Sequence, residues 1–388
     1  MSNMRIPQQL RTFEKLLTAY DKKEPLARFL TTFFKENKQM GSTDRRIASR
    51  WIYNYFRLGK SFAEHTVTER LLFAEYLCNK ESDLVAHLDP ILNESIHQTI
   101  QEKKVLLSDL FGFHQADIFP LISLLSTSID KERFVDSLFM QPLLFIRIHP
   151  GEKTFVVDRL IHREVIYEEV GENCLALPNG TKLNQYRELE GKYQVQDLSS
   201  QRTARYFKAK SGEQWWDACA ASGGKSLLLL HHYPDIKLLV SDVRPSILRN
   251  LDERFDQAKI KNYRRKIIDL TKDSSPVLGN EQFDGIIVDA PCTGSGTWGR
   301  TPEMMASFNK ERLDYFVTLQ RTIVLQAVKH LKPKAPLIYI TCSVYADENE
   351  NQLKFFEQKG LRVEETELLK GYENRADTMF VARLIKDL

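Results

Sequence analysis

Apolar positions change their spacing twice along the chain. Up to about Phe119 they recur three and four apart, as in RTFEKLLTAY, LARFLTTFFK and RRIASRWIYNYFR, and strand-like alternation is scarce, which predicts a helical bundle. In the third of these stretches Ile47, Trp51, Ile52, Tyr55 and Phe56 form one face. Arg45, Arg46, Arg50 and Arg57 mostly lie off that face, and Ser42 or Thr43 before Asp44 offers an N-cap. From about Phe134 to Ser200 the pattern is mixed. LLFIRIHP reads as a strand, EKTFVVDRLIHR as a short helix, EVIYEEV and CLALP as two strands split by Gly171, and KYQVQDLS as a last strand, together a small α+β domain. Pro142 and Pro150 bracket the first of these strands, and the region near residues 130–142 reads as a domain boundary.

After about residue 205 the runs QWWDACA, KLLVSD, RKIIDL, FDGIIVDA and PLIYITCS are near-continuously apolar and of strand length. Helical segments such as SLLLLHHY, PSILRNLDERFDQAK and ERLDYFVTLQRTIVLQAVKHL separate them. Continuous apolar strands alternating with amphipathic helices predict a parallel sheet covered on both faces, a doubly wound α/β fold. The expected domains are 1–130, helical; 131–204, small α+β; and 205–388, α/β.

Composition adds limits. With 42% hydrophobic and 28% charged residues over 388 positions, the chain has the make-up of a globular protein with a sizeable core. No apolar stretch approaches the ~18 residues of a membrane helix and the N-terminal MSNMRIPQQLRTFEKLL has no secretory apolar region, so a cytoplasmic protein without a membrane partner is expected; a monomer is the separate expectation for its assembly. Five cysteines, widely spaced and without a CxxC pair, argue against a disulfide framework and against a metal site. Cys78 and Cys174 read as small apolar residues in a helix and a strand. The net charge of +3 hides a local bias: residues 1–60 hold 13 Lys or Arg against 5 Asp or Glu. A basic first segment suits a nucleic-acid partner, although a solvated lysine-rich helical face produces the same count.

Ligands of doubly wound sheets bind beyond the carboxyl ends of the strands. Here those ends carry Asp217, Asp242, Asp269, Asp289 and Thr341 with Cys342. A single Asp at a strand end is often only a helix cap, but four in succession point to a site. The first turn, DACAASGGKS, places Gly223 and Gly224 where backbone and ligand would approach closely, and Lys225 and Ser226 open a helix. It matches neither GxGxxG nor GxxxxGK[ST]. Asp242, ending the second strand, suits two ribose hydroxyls, so a cofactor with a ribose and no pyrophosphate fits, S-adenosyl-L-methionine foremost.

FDGIIVDAPCTGSGTW and PLIYITCSVY each end an apolar strand in a polar residue and a cysteine, Cys292 and Cys342. Carbon 5 of cytosine is too weak a nucleophile to take a methyl group until a thiolate adds at carbon 6. Two cysteines beside Asp289 match adduct formation and its later resolution, against the plainer reading of two buried apolar cysteines. Such a base must be unpaired or flipped out, which links the pocket to the basic N-terminal segment and the middle domain.

DACAASGGK, DAPCTGSGTWGRTPE and ITCS together resemble the Sun/Nop family of RNA cytosine-5 methyltransferases, of the ribosomal small-subunit methyltransferase B type. STDRRIASRWIYNYFRLGK resembles that type's NusB-like RNA-binding helices, and VQDLSSQ the strand leading into its catalytic domain. The resemblance implies a class I (Rossmann-like) methyltransferase domain behind a NusB-like domain and a small α+β domain. It implies Cys342 as the nucleophile, Cys292 as the residue that resolves the adduct, Asp289 on the base and Lys225 in the pocket. The implied cofactor set is Cys219, Ala220, Ala221, Ser222, Gly223, Gly224, Lys225, Asp242, Arg244, Asp269 and Asp289, with Asp242 on the ribose and Asp269 by the adenine. The implied partner is RNA, ribosomal first and transfer RNA second. Ser222 stands where the family has proline, which frees a fixed φ; NRADTMFVARL lacks the family's glycine before the aromatic; and Cys219 has no catalytic role beyond packing. The competing readings are an inactive RNA-binding assembly factor, which the retained Cys292, Cys342, Lys225 and Asp289 oppose, and a DNA cytosine methyltransferase, which would attack with Cys292 and leave Cys342 unused.

Overall fold

The computed structural model describes residues 5–387. Residues 1–4 and 388, the outer ends of the first and last expected domains, lie outside the described residues. The chain divides into two compact units. One comprises 1–123, 130–141 and 298–309; the other comprises 124–129, 142–297 and 310–388. The short segment 298–309, inside the third expected domain, thus groups with the N-terminal helices, and the middle domain groups with the α/β sheet.

The first unit is helical, with long helices Arg5–Ala19, Leu26–Glu36, Ser42–Arg57, Val67–Cys78 and Ile100–Phe111. Its core gathers Phe13, Leu16, Leu30, Trp51, Ile52 and Phe56, so the face read from RRIASRWIYNYFR is the buried one. Two details differ from expectation. The N-cap of Ser42–Arg57 is Gly41, without a side-chain cap bond, and Ser42 and Thr43 are already inside the helix. Arg57 is buried at 2% exposure and its guanidinium donates to the Leu138 carbonyl, so it is a structural cation and not part of the basic surface.

The second unit holds two sheets. The smaller is antiparallel, made of β1 (Leu144–Ile148), β2 (Glu168–Gly171), β3 (Cys174–Leu177) and β4 (Tyr193–Val195) in the order β2-β3-β1-β4. The larger contains β5 (Gln214–Asp217), β6 (Lys237–Asp242), β7 (Tyr263–Ile267), β8 (Gly285–Asp289), β9 (Pro336–Thr341), β10 (Leu361–Leu369) and β11 (Met379–Lys386). Its order is β10-β11-β9-β8-β5-β6-β7. β5 to β9 pair in parallel, whereas β11 runs antiparallel between β9 and β10. The antiparallel edge was not foreseen from an all-parallel pattern.

Alternation explains why the central strands read as unbroken apolar runs. Trp215 joins the core on one face with Leu227, Leu251 and Phe255, while its neighbour Trp216 joins the core on the other with Val324, Leu331 and Phe356. Both faces are covered in the middle of the sheet, so the inner positions of β5, β6, β8 and β9 shed water, at about 1.5–3 kcal/mol for each large side chain fully buried. Gly285 allows β8 to lie against β5, since a Cβ there would sit 2.4 Å from the Trp215 ring. The chain order reverses between β5 and β8, and the crevice beyond their carboxyl ends is where this topology places a ligand.

Candidate active site

Beyond those strand ends lies a cavity of about 570 Å³. Cys219, Ala221, Asp242, Arg244, Asp269, Asp289, Cys292 and Cys342 line it. Ala220, Ser222, Gly223, Gly224 and Lys225 do not, although they shape it from behind. Apolar walls come from Val243, Ile268, Leu270 and Pro291 and from Leu319 and Ile323, with Tyr315 beside them. The last three stand four apart on the helix Lys310–Val328 and were missed from sequence; their spacing marks one helical face but not what that face borders.

The turn after β5 is built by backbone geometry. Ala220 N–H donates to the Ser241 carbonyl at 2.8 Å, Ala221 adopts a left-handed φ of 46°, and Gly223 one of 82°. A Cβ on Gly223 would meet Leu251 and Phe255 at 2.8 Å. Glycine is therefore required at 223 by a helix packed closely behind it as well as by φ. Arg254 clamps the same turn: its Nη1 lies 3.3 Å from both the carbonyl and the hydroxyl of Ser222, and its Nε donates to Gln194 Oε1 at 2.6 Å. The second sheet also reaches this turn through Gln196, which accepts from Arg147 and donates to the Gly224 carbonyl at 3.2 Å.

Asp242 accepts from Ala221 N–H at 3.1 Å and from the backbone and guanidinium of Arg244 at 2.9–3.2 Å. Asp269 accepts from the Thr271 amide and hydroxyl, which hold its carboxyl below the usual range. Lys225, 6% exposed, puts its Nζ 3.0 Å from Asp289 Oδ2. Asp217 lies wholly buried beneath them, and burial pushes its carboxyl up to about 7 in spite of a 2.5 Å hydrogen bond from Ser226. Cys219 is pushed up as well, by burial and by the carboxylates around it.

The two strand-end cysteines converge: Cys292 Sγ and Cys342 Sγ stand 3.2 Å apart although 50 residues separate them. The Cys292 thiol is held well above its usual range, first by its contact with Cys342 and then by burial. Gly296 secures the loop, its N–H donating to the Cys342 carbonyl at 2.9 Å. One cavity thus brings together two thiols, the Asp289 carboxylate that pairs with Lys225, and the carboxylates of Asp242 and Asp269. Among the described residues no group of three or more His, Cys, Asp or Glu could hold a metal ion, and no helix is long and apolar enough to cross a membrane.

The strand order, the reversed β11 and the crevice define the class I methyltransferase fold, with a helical region ahead of it. Residues 204–384 match the family model described as 16S rRNA methyltransferase RsmB/F, the part of the chain that carries the motifs quoted above. Relatives include the ribosomal RNA small subunit methyltransferase B of Xylella fastidiosa, 33% identical over 212 residues, and that of Shewanella oneidensis, 36% identical over 170. These alignments take in 51% and 43% of this chain, and 48% and 39% of the relatives, so the chain spans about half or less of their length. Among solved structures, the crystal structure of PH0851 aligns over 98% of this chain and 99% of its own, with TM-score 0.74 at 19% identity. NSun6 from Pyrococcus horikoshii, solved with SFG, aligns over 73% of this chain and 97% of its own, with TM-score 0.59 at 17% identity. At these identities the likeness concerns fold.

Proposed function

We propose that this protein transfers a methyl group from S-adenosyl-L-methionine to carbon 5 of a cytosine in RNA, specifically small-subunit ribosomal RNA, through a covalent bond between Cys342 and carbon 6. The observation that carries the reading is the pair of thiols 3.2 Å apart beside the Lys225–Asp289 pair. The names of the relatives support the RNA, and the SFG bound by NSun6, an analogue of S-adenosylmethionine, supports the cofactor. A cavity of about 570 Å³ is within the ~300–1,000 Å³ of small-ligand sites. Val243, Ile268, Leu270 and Leu319 suit an adenine ring, Asp242 the ribose hydroxyls and Asp269 the adenine edge. When bound there, the cofactor supplies an electrophilic methyl group.

The protein's own residues do the rest. The Cys342 thiolate forms the sulfur–C6 bond, and the C5–C6 π electrons become available at carbon 5. Asp289 holds the base edge, and Lys225 keeps that carboxylate in place. After transfer the carbon-5 proton leaves to a base and the sulfur–C6 bond breaks, returning its electron pair to Cys342. Cys292, a thiol at neutral pH, is suited to handling a proton at this release step. The helical unit supplies a groove of about 1,050 Å³ lined by Arg5, Arg46, Arg50 and Thr43, with Asp83 among them, fit for RNA phosphates.

The test is a denaturing gel for a protein–RNA adduct, using S-adenosyl-L-methionine and unmodified small-subunit rRNA. Cys292→Ala should accumulate adduct and Cys342→Ala should form none. An adduct on Cys342→Ala would overturn the nucleophile assignment, and absence of both adduct and methyl transfer with the wild type would overturn the reading as a whole.

A further inference from the structure

Under the two cysteines lies a carboxylate without a cation. Glu348, in the short helical turn Ala346–Glu348, is 0% exposed. Its Oε1 accepts from the Thr293 N–H and from Gln320 Nε2, both at 2.9 Å. Its Oε2 accepts from the Thr293 hydroxyl at 2.6 Å and from the Ser343 hydroxyl. Thr293 directly follows Cys292, and Ser343 directly follows Cys342. One side chain therefore grips the residue after each cysteine, and through Gln320, which also donates to the Pro291 carbonyl at 3.0 Å, it grips the residue before Cys292 as well. No ion pair to Glu348 exists among the described residues. Burying a carboxylate this deeply without a counter-charge is unfavourable by several kcal/mol unless its hydrogen bonds compensate. An apolar residue would avoid that cost but leave the buried Thr293 N–H and Gln320 amide without this acceptor, so Glu348 is tied to the loops by the hydrogen bonds it satisfies.

Resting on the two-cysteine reading above, we infer that Glu348 is a positioning residue of the reaction: it fixes the separation of Cys292 and Cys342 and sets a buried carboxylate against the loops that carry them. Both effects follow from one geometry. The four donors come from the loops after β8 and β9 and from the helix Lys310–Val328, and Glu348 adds to the direct ties between the two loops, Gly296 N–H to the Cys342 carbonyl at 2.9 Å and Ser295 to Ser343 at 3.1 Å. Tyr339, whose hydroxyl lies 2.8 Å from the Glu348 carbonyl, and Asn349, which donates to the Ser343 carbonyl at 3.0 Å, hold the turn itself. Among the causes that hold the Cys292 thiol up, Glu348 follows Cys342 and burial. Burial raises the carboxyl of Glu348 itself, while its hydrogen bonds from Ser343, Thr293 and Gln320 favour the charged form that acts on Cys292.

The test compares Glu348→Ala and Glu348→Gln in the full chain. Melting temperatures establish folding, methyl transfer gives kcat and KM, and iodoacetamide alkylation of each cysteine across pH, read by peptide mass spectrometry, needs no RNA. Glu348→Ala should lower kcat about 100-fold with KM for the cofactor unchanged, the size of effect expected when reacting groups move by about 1 Å. Glu348→Gln, whose amide still spans both loops, should recover most of kcat. In both variants the pH midpoint of Cys292 alkylation should fall. A folded Glu348→Ala protein with wild-type kcat and an unmoved midpoint overturns the inference. If that variant does not fold, an unmoved Cys292 midpoint in Glu348→Gln overturns it. A shifted midpoint in a protein whose wild type methylates no RNA would sink the proposed function and leave the role of Glu348 in tuning Cys292 standing.

Discussion

Asp217→Asn should make the protein less sensitive to pH and more stable under mildly alkaline conditions. Asp217 ends β5, is 0% exposed, and has its Oδ1 buried without a hydrogen-bond partner. Burial is the largest influence on its carboxyl; the Ser226 hydroxyl opposes it and Asp289 adds to it, leaving the carboxyl up at about 7 against an ordinary 3.8. In the open chain this group releases its proton near 3.8, while in the fold it keeps the proton to about 7, so between those values the folded state binds more protons. Stability contributed by this group is thus full below 3.8 and falls as pH rises through the window to about 7. At about 1.4 kcal/mol per pH unit the loss is on the order of 4 kcal/mol, complete by pH 8. Asparagine does not ionise, but it leaves a buried amide short of a partner at about 1–3 kcal/mol. The variant should therefore unfold at slightly lower urea than wild type at pH 5, and at higher urea, by about 1–3 kcal/mol, at pH 8. Urea unfolding at both pH values, followed by tryptophan fluorescence and compared at equal m, is the assay. A wild type and variant separated by the same amount at pH 5 and pH 8 would show that Asp217 does not titrate in this window, and the reasoning from burial would be wrong.

Gly296→Ala should destabilise the protein by about 3 kcal/mol and abolish adduct formation, because the new Cβ would sit 1.9 Å from the Thr378 carbonyl oxygen and break the pairing of Gly296 with Cys342 and Thr378. An unchanged melting temperature would refute the clash. Arg254→Ala should weaken binding of a cofactor analogue about 10-fold, some 1.4 kcal/mol, measured by calorimetry, since the Ser222 turn loses its clamp to β4. Wild-type affinity in that variant would mean that the turn holds its shape without Arg254.

The strands that position the site were legible because burial on both faces leaves a mark in the chain. GIIVD and PLIYIT have no polar residue before their ends, so the polar residue that follows stands out, and Asp289, Thr341 and Cys342 could be read directly. β10 left no such mark: LRVEETELL pairs only with β11, stands at the sheet edge and exposes alternate positions, so its charges resemble those of a solvated segment. Tyr315 and Leu319 escaped for the opposite reason, since an apolar helical face is the same whether it borders core or cavity. Arg57 was misread because its number among other arginines suggested surface, whereas its environment buries it against the Leu138 carbonyl.

Glu348 shows where reading along a chain stops. It stands in YADENEN, a run of acidic and amide residues that by composition alone is a solvated turn. Nothing local distinguishes it from Asp347, which faces Lys310 at 3.2 Å, or from Glu350, which accepts from Ser126 at 2.9 Å. Only the meeting of β8 and β9 in the sheet brings Thr293 and Ser343, 50 positions apart, close enough for one carboxylate to bind both. The two cysteines were found by their flanking residues, each at the end of its own strand. Gly296 and Ser295 tie the two loops to each other, and a third segment adds Glu348 to that joint only once the parallel pairing of β8 with β9 has formed. A substitution that spares both cysteines but shifts that pairing should therefore silence the site as fully as the loss of either thiol.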